Sequence, residues 1–425
     1  MRIMDPALRA LLLLIALSLP LQLRGADTIL TQDVFERVKP AVVQVRIIDR
    51  QSGTKSAIGS GFFVSADGYA VTNYHVVNEL ISQQGSYRAE IVDYRENTTA
   101  VTVVHVDVVH DIAVIKADKV PDHFLQFSAT DPQQGTRIFS LGNPHDLGMT
   151  IVEGTYNGHI KNSLYEKIHF SGSINPGMSG GPGVNTLGQV IGVNVSTAGN
   201  QMSFLVPARF ARQRLRQATA GTVTAVDLAD VVREQLIDNQ DRYIAKFFQT
   251  TLQSTALGAF QVPGRFSPLL KCWGNTPDHQ QELYKVSTKQ CSTDDYIYLN
   301  ARHYTGHISF IHKLITDKSL GPTRFNSAFQ DYFHRDFDGL ASTERDVTNF
   351  QCKDRYVANG TLPLRVMFCV RGYKKYRGLY DSALRIASLG ARQTGLLSSM
   401  VLTGVSFDNA VRVSRQYLEA IRWKK

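Results

Sequence analysis

Residues 33–207 have the pattern of a chain that folds from many short β-strands. Runs rich in Val, Ile and Phe alternate with turn-forming residues, and they cover residues 42–48, 61–65, 69–72, 101–109, 112–116, 189–195 and 202–206. Asp67-Gly68 lies between two of these runs and is a strong signal for a tight hairpin. Many short strands at regular spacing predict a β-sandwich or a β-barrel.

The pattern changes after Pro207, and a chain of 425 residues has room for more than one domain. The next stretch, up to residue 257, is helical in pattern, with apolar residues at helix spacing. Beyond Pro263 the chain is rich in Tyr, Phe and Cys, and it predicts strands near 296–299, 307–314 and 364–370 and helices over 327–334 and 409–421. We therefore expect a β-domain over residues 27–210, a helical connector over 211–262 and a small α+β domain over 263–425.

The amino-terminal segment has the features of a secretory signal peptide. Two arginines come before an apolar run over residues 10–23, and the small residues Gly25 and Ala26 follow it. The run is shorter than the about 20 apolar residues that cross a bilayer. We predict that residues 1–26 are a signal peptide, that the chain is exported to the periplasm or secreted, and that no membrane span remains after cleavage. An uncleaved membrane anchor is the alternative, because Arg24 makes the cleavage site imperfect.

The cysteines agree with export. An even number of cysteines in an oxidising compartment favours disulfides, and three pairings are possible. A zinc site is the alternative, although no Cys-x-x-Cys pair is present. The residues are Cys272, Cys291, Cys352 and Cys369, of which the first two and the last two would close the shortest loops.

Composition and charge narrow the function classes. Hydrophobic residues make up 43% and charged residues 20%, which is ordinary for a globular protein and argues against disorder as the main state. The net charge of +9 would suit an anionic partner, but the basic residues are spread along the chain, so we expect no nucleic-acid partner. Residues 371–377 interleave cations with aromatic side chains, which we interpret as a solvated turn. His303, His307 and His312 lack a carboxylate that would complete a metal site, and we expect neither a metal nor a cofactor.

Three segments of the β-rich region carry a histidine, an aspartate and a serine in that order: His75, Asp111 and Ser179. A serine hydroxyl is a poor nucleophile at neutral pH and needs a base within hydrogen-bond reach. Imidazole suits this role because its pKa lies near neutral pH. A buried carboxylate in turn fixes the imidazole tautomer and stabilises the imidazolium that forms.

The turn around Ser179 is unusually rich in glycine. Glycine permits backbone conformations in which the N–H groups of Gly177 and Ser179 point at one spot. Such a pair of donors would hold the oxyanion of a tetrahedral intermediate, and the loss of one donor typically costs about 3–4 kcal/mol of transition-state stabilisation.

These segments resemble the trypsin-like peptidases of the bacterial HtrA (Deg) type. The resemblance spans roughly residues 31–208, and it is carried by GSGF at 59–62, TNYHVV at 72–77, DIAVIK at 111–116, LGNP at 141–144, NPGMSGGP at 175–182 and QVIGVN at 189–194. It implies a chymotrypsin/trypsin-like double six-stranded β-barrel. It also implies that His75 is the general base, Ser179 the nucleophile, and Gly177 with Ser179 the oxyanion hole. Asp111, rather than Asp107 or Asp118, takes the family's orienting position, since it begins the strand over 112–116.

The same resemblance places the specificity pocket. Ser173 would lie near its base, and Asn194, Val195 and Ser196 would lie along its wall. The absence of an acidic residue at position 173 disfavours selection for Arg or Lys, so we expect small or medium apolar side chains at the cleaved bond.

The sequence departs from the family in two respects. Met178 stands where the family usually has Asn, and digestive trypsins have an Asp there that pairs with a new N-terminus, so activation of that kind is not expected. No PDZ signature follows Pro207, which weakens any transfer of the family's oligomeric roles. We predict an exported serine endopeptidase that acts on proteins or peptides. The alternative is an inactive or latent protease-fold binding module that acts through its C-terminal domain.

Overall fold

The structure, a computed structural model, describes residues 30–220, 228–248, 252–277, 283–335, 340, 342–390 and 393–424. The predicted signal peptide lies outside these ranges. Within them, no helix combines the length and the apolar character needed to cross a membrane.

Six antiparallel strands close a first barrel. They pair in the order β1-β2-β3-β6-β5-β4, and β4 pairs back with β1. Val43, Val45 and Ile47 alternate along β1 and are fully buried in the barrel core, which is the period expected of a strand with one face inward. The strands are β1 (Val42–Asp49), β2 (Lys55–Phe63), β3 (Tyr69–Thr72), β4 (Tyr87–Val92), β5 (Thr98–Asp107) and β6 (Ile112–Ala117).

A second closed barrel follows, with the strand order β10-β11-β12-β9-β8-β7. Its strands are β7 (Arg137–Gly142), β8 (Thr150–His159), β9 (Ile168–Phe170), β10 (Pro182–Val184), β11 (Val190–Thr197) and β12 (Ser203–Pro207). The expected double six-stranded barrel is therefore confirmed. Helices α1 (Thr31–Val38), α2 (Tyr74–Ser82) and α3 (Ala208–Ala220) lie before, within and after the two barrels, and short 3₁₀ turns cover Lys39–Ala41 and Pro144–Asp146.

The two barrels share a continuous core. Phe62 and Val71 of the first barrel are buried in one cluster with Phe139, Leu141 and Val193 of the second. This shared core fixes the barrels against each other, so loops from both barrels meet at a defined junction.

The connecting helix belongs to two cores. Helix α4 (Leu228–Phe248) buries Val232 and Leu236 with the first barrel, and Tyr243 and Phe247 with the C-terminal sheet. The helical pattern that we read through residue 257 ends earlier than expected. The chain instead forms a hairpin of β13 (Ser254–Leu257) and β14 (Phe260–Pro263), whose tight turn places Gly258 at φ +59°.

The C-terminal region is built on a seven-stranded antiparallel sheet with the order β15-β16-β19-β23-β22-β21-β20. Two smaller sheets accompany it: β13-β14-β24 and the hairpin β17-β18. The remaining elements are β15 (Lys271–Asn275), β16 (Tyr284–Ser292), β17 (Ile297–Asn300), β18 (His303–Thr305), β19 (Ile308–Asp317), α5 (Pro322–Arg335), β20 (Gln351–Asn359), β21 (Leu362–Gly372), β22 (Tyr380–Ser388), β23 (Thr394–Val405), α6 (Phe407–Glu419) and β24 (Arg422–Trp423). Strands and helices occur at each of the positions that the sequence predicted beyond Pro263.

The two disulfides stabilise opposite edges of the large sheet. Cys272–Cys291 joins β15 to β16, and Cys352–Cys369 joins β20 to β21. In each pair the cysteines are direct cross-strand partners, with Cα atoms 4.1 and 4.0 Å apart. The pairs are those that close the shortest loops, and because all four thiols are bonded, they are not zinc ligands.

Candidate active site

The helix that follows β3 carries His75 in its first turn. Asp111 lies in the turn before β6, and its backbone adopts the left-handed conformation with φ +55°, which Asp tolerates better than most residues. Its Oδ1 accepts the backbone N–H of His75 at 2.8 Å, and its Oδ2 lies 2.6 Å from the ring Nδ1. Asn73 holds this turn in place, since its Nδ2 donates to the Asp111 carbonyl at 2.8 Å. The predicted imidazole and carboxylate are thus brought together.

The carboxylate determines the state of the His75 ring. Asp111 accepts the Nδ1 proton, so the neutral ring has an unprotonated Nε2 that can act as a base. Partial burial lowers the pKa of His75, but the charge of Asp111 and its hydrogen bond outweigh this effect and raise the pKa above the ordinary 6.5. About a third of the side chain, 32%, remains exposed, so the ring is accessible to a substrate.

The turn with Ser179 is held against the residues that flank His75. The Ser179 carbonyl accepts the Ser60 N–H at 2.8 Å. Gly180 has φ +86°, and a Cβ there would lie 2.9 Å from the backbone nitrogen of Asn73. The side chain of Val76 contacts Gly59, which in turn adjoins the Ser179 carbonyl. Among the described residues no hydrogen bond joins the Ser179 hydroxyl to the His75 ring, and such bonds often tighten only when substrate binds.

The glycine-rich turn leaves two N–H groups available. The Met178 N–H donates to the Asn175 carbonyl at 3.0 Å, the Gly180 N–H to the Asn194 carbonyl at 2.9 Å, and the Gly181 N–H to the Met178 carbonyl at 3.1 Å. The N–H groups of Gly177 and Ser179 have no acceptor within the described ranges. The Gly177 N–H shares its peptide unit with the Pro176 carbonyl, which accepts the His145 N–H. The Ser179 N–H shares its peptide unit with the Met178 carbonyl, which accepts the Gly181 N–H and Asn194 Nδ2. Because a trans peptide points its N–H opposite to its C=O, both free N–H groups point away from these partners.

Two buried polar residues hold this turn, and the sequence did not identify either role. Ser60 Oγ donates to the Gly177 carbonyl at 2.7 Å and accepts the Asn143 N–H at 2.9 Å. Asn194 is fully buried, and its Nδ2 donates to the Met178 and Leu141 carbonyls at 3.1 and 3.0 Å. For Asn194, the sequence signal for such a role was a polar residue inside the apolar run of β11.

The Asn194 side chain therefore supports the turn, while its assignment to the specificity pocket stays a prediction. Ser173 is exposed, and Val195 is the bulged residue of β11, opposite no partner on β12. Val195 and Ser196 line a cavity that also contains His75 and Asp111. Met178 is fully buried in the core of the second barrel, so it anchors the turn by apolar packing.

The competing carboxylate, Asp107, has a different set of partners. It accepts hydrogen bonds from the His110 ring at 3.0 Å and from Arg214 Nε at 2.9 Å. Burial raises its pKa, but the His110 bond and the charge of Arg214 outweigh this effect and lower the pKa to about 2. Asp107 thus ties helix α3 to the first barrel and does not contact His75.

The three C-terminal histidines are dispersed. His312 is buried and bonds to Ser398 Oγ and the Pro263 carbonyl, both at 2.9 Å, while His303 packs on Tyr373 and His307 on Tyr296. In the described part of the chain, no group of three or more His, Cys, Asp or Glu side chains could hold a metal ion.

Two closed six-stranded barrels, with a His–Asp pair and a glycine-rich serine turn at their junction, define the chymotrypsin-like architecture. Residues 59–193 match the family model of the trypsin-like peptidase domain. This part of the chain is thus similar to trypsin-like peptidase domains.

Relatives and a solved structure are similar to part of the chain. "Probable periplasmic serine endoprotease DegP-like" of Chlamydia trachomatis is 38% identical over 180 residues, which are 39% of this chain and 35% of the relative. "Serine protease HTRA1B" of Danio rerio is 35% identical over 211 residues, 45% of this chain and 43% of the relative. The crystal structure of a serine endoprotease from Yersinia pestis aligns with a TM-score of 0.38 and 27% identity, over 44% of this chain and 65% of that chain. The chain thus spans less than half the length of these curated relatives.

Proposed function

We propose that the chain is an exported serine endopeptidase that hydrolyses peptide bonds through an acyl-enzyme on Ser179. The observation that carries this proposal is the pair of hydrogen bonds that the Asp111 carboxylate accepts from His75, at 2.8 Å from the backbone N–H and 2.6 Å from the ring Nδ1. It orients the ring and leaves Nε2 as the available base. A structural ion pair could be fully buried, whereas 32% of the His75 side chain is exposed, as a catalytic base requires.

In the first half of the reaction, His75 Nε2 takes the Ser179 hydroxyl proton while Oγ attacks the carbonyl carbon of the peptide. The negative charge moves to the carbonyl oxygen, which the N–H groups of Gly177 and Ser179 stabilise. The imidazolium, stabilised by Asp111, then gives its proton to the leaving amine as the carbon–nitrogen bond breaks. The amine product leaves, and an ester on Ser179 remains.

In the second half, water replaces the amine. His75 takes a proton from water as the oxygen attacks the ester carbon, and the same two N–H groups stabilise the second oxyanion. The proton returns to Ser179 Oγ as the ester bond breaks. The products are a peptide with a new carboxyl end and the free enzyme.

Proteolysis of an unfolded protein tests the proposal. We expect casein to be cleaved by the wild-type chain, and Ser179→Ala or His75→Ala to lower kcat by about 10⁶-fold, to the level of background. Ser52→Ala, an exposed serine in the turn between β1 and β2, is the matched control and should retain cleavage. Equal, undetectable cleavage by the wild type and Ser179→Ala, with both chains folded, would favour the alternative of a binding module that acts through the C-terminal region.

We further propose that residues 27–210 form the catalytic unit, that residues 263–425 form a separate recognition unit, and that the chain works in the periplasm or outside the cell. Support for export comes from the amino-terminal pattern, from the two disulfides and from the Chlamydia trachomatis relative, which is named as a probable periplasmic protein. Cell fractionation with amino-terminal sequencing tests export: the mature chain should start near residue 27 and lie outside the cytoplasm.

A further inference from the structure

A cavity of about 880 Å³ is lined both by the catalytic barrels and by the C-terminal region. His75, Asp111 and Ser196 line one side, and Tyr298 and Arg302 of the β17-β18 hairpin line the other. Its volume is at the upper end of the roughly 300–1,000 Å³ found for ligand sites. The general base therefore opens into a space whose far wall comes from the C-terminal region.

The far wall is firmly attached to the catalytic barrels. Ile297 and Leu299 of β17 are buried in the same apolar cluster as the core of the first barrel. The Asp295 carboxylate accepts the Leu164 N–H at 2.6 Å and the Ser163 hydroxyl at 2.9 Å. The wall is thus a fixed part of the cavity.

Of the carboxylates that line the cavity, two pair with groups that can carry a positive charge, and two accept side-chain hydrogen bonds only from neutral groups within the described ranges. Besides Asp111, the lining carboxylates are Glu79, Glu166 and Asp346. Glu79 accepts the Ser56 hydroxyl at 2.7 Å, and Glu166 pairs with Arg209 and with His159. The two oxygens of Asp346 accept Asn300 Nδ2 at 3.1 Å and the Thr343 hydroxyl at 2.6 Å.

Three cations of the far wall lack an ion-pair partner among the described residues. The Arg302 side chain is exposed and makes no ion pair among the described residues. Arg345 donates only to the neutral amide of Gln83, at 3.4 Å, and Lys374 donates to a backbone carbonyl, that of Glu344. None of these three residues forms an ion pair within the described ranges, and all three line the cavity, where they outnumber the two carboxylates, Glu79 and Asp346, that also lack a charged partner.

On the basis of the proposed function, we propose that this cavity is an extended substrate site that selects acidic polypeptide segments. Arg302, Arg345 and Lys374 are its specificity-determining residues, and they pair with Asp or Glu side chains a few residues from the cleaved bond. Tyr165, Tyr296 and Tyr298 line the same cavity and supply a surface for the apolar parts of the segment. Complementary charge at such a site raises the rate of association and discriminates against basic segments.

The test compares peptides that differ only in charge. In one cleavable sequence, each position from five residues before to five residues after the cleaved bond is occupied in turn by Asp, Asn or Lys. We expect kcat/KM to be about two- to five-fold higher for Asp than for Asn at one or two positions, and lowest for Lys. The preference should shrink as salt is raised, because exposed charges are screened.

Charge reversal assigns the preference to the far wall. Arg302→Glu should abolish the preference for Asp and favour Lys at the same position. Lys353→Glu, on the exposed edge strand β20 outside the cavity, is the matched control and should leave the preference unchanged. Equal kcat/KM for Asp, Asn and Lys peptides would overturn this inference and leave the proposed function intact.

Binding separates the two proposals. In the Ser179→Ala chain, fluorescence anisotropy should show tighter binding of the Asp peptide than of its Asn counterpart, and Arg302→Glu should remove the difference. If no peptide is cleaved but this difference is found, the proposed function fails and the acidic site stands. If a single-stranded oligonucleotide displaces the Asp peptide and binds more tightly than it does, the site is one for phosphate polymers and the inference is wrong.

Discussion

Replacing Ser60 by alanine probes how the glycine-rich turn is held. The Ser60 hydroxyl bridges two backbone groups of different loops, the Gly177 carbonyl at 2.7 Å and the Asn143 N–H at 2.9 Å. Ser60 is fully buried, so Ser60→Ala leaves both groups without a partner. Each unsatisfied buried group costs about 1–3 kcal/mol. Because the turn can adjust in part, we expect a loss of about 2 kcal/mol in the free energy of unfolding.

The same substitution should affect chemistry more than an ordinary loss of stability would. Gly177 supplies one of the two free N–H groups, and a full loss of such a donor lowers kcat by about 10²–10³-fold. Ser60 contacts the Gly177 carbonyl and not the substrate, so it is a positioning residue. We therefore expect kcat for a peptide substrate to fall by about 10–100-fold, with KM nearly unchanged.

The control should also remove a buried hydroxyl that holds a backbone group, but in another part of the chain. Ser388→Ala removes a buried hydroxyl that accepts the Leu396 N–H at 2.9 Å in the C-terminal sheet. It should lower the free energy of unfolding to a similar extent without changing kcat. If Ser60→Ala lowers stability but leaves kcat at the wild-type value, the reasoning about the turn is refuted.

Three further predictions follow from the geometry. The first concerns pH: Asp111 raises the pKa of His75 above 6.5, and the base must be neutral to act. We therefore expect kcat/KM to fall on acidification with an apparent pKa above 6.5, and Asp111→Asn to lower that apparent pKa. An apparent pKa below 6.5 in the wild type would contradict the account. The second concerns Asp107, whose pKa is lowered from 3.8 to about 2, so that its stabilising effect is present above pH 3.8 and is lost as the pH falls towards 2. In urea unfolding, the stability difference between wild type and Asp107→Asn should therefore be about 2 kcal/mol larger at pH 7 than at pH 2; a difference independent of pH would count against the ion pair. The third concerns Gly180: its added Cβ would lie 2.3 Å from the Ser60 carbonyl oxygen, so Gly180→Ala should reduce kcat by at least about 10²-fold. Gly135→Ala has a similar φ, +93°, with no atom within 4 Å of the Cβ, and should retain activity; equal effects of the two substitutions would show that the close approach is unimportant.

Local patterns predicted short strands in a β-sandwich or a β-barrel, and the resemblance to a known family predicted the double barrel. The predicted strands are rich in Val, Ile and Phe, and Asp67-Gly68 marks the turn between two of them, since Gly68 adopts φ +86° in the hairpin between β2 and β3. The helix α4 was extended too far because short apolar runs do not distinguish a helix from a strand. The end of the helical pattern, residues 254–257, forms a strand instead.

Contacts between distant segments could not be read from local patterns. Ser60 and Gly177 are 117 positions apart, so neither residue indicates its partner in the sequence. The charged wall opposite His75 is equally hidden, because Arg302 reaches the cavity only when the β17-β18 hairpin packs on the first barrel. The motifs predicted which side chains react, whereas the surroundings that orient them required the fold.

The most direct test of the central claim is the site of covalent labelling by a fluorophosphonate. This reagent reacts with a serine only when a base and an oxyanion site activate it. Peptide mapping by mass spectrometry should find a single adduct on Ser179, which is absent in Ser179→Ala and strongly reduced in His75→Ala. A folded wild-type chain that forms no adduct, or forms it on another serine, would contradict the proposed active site.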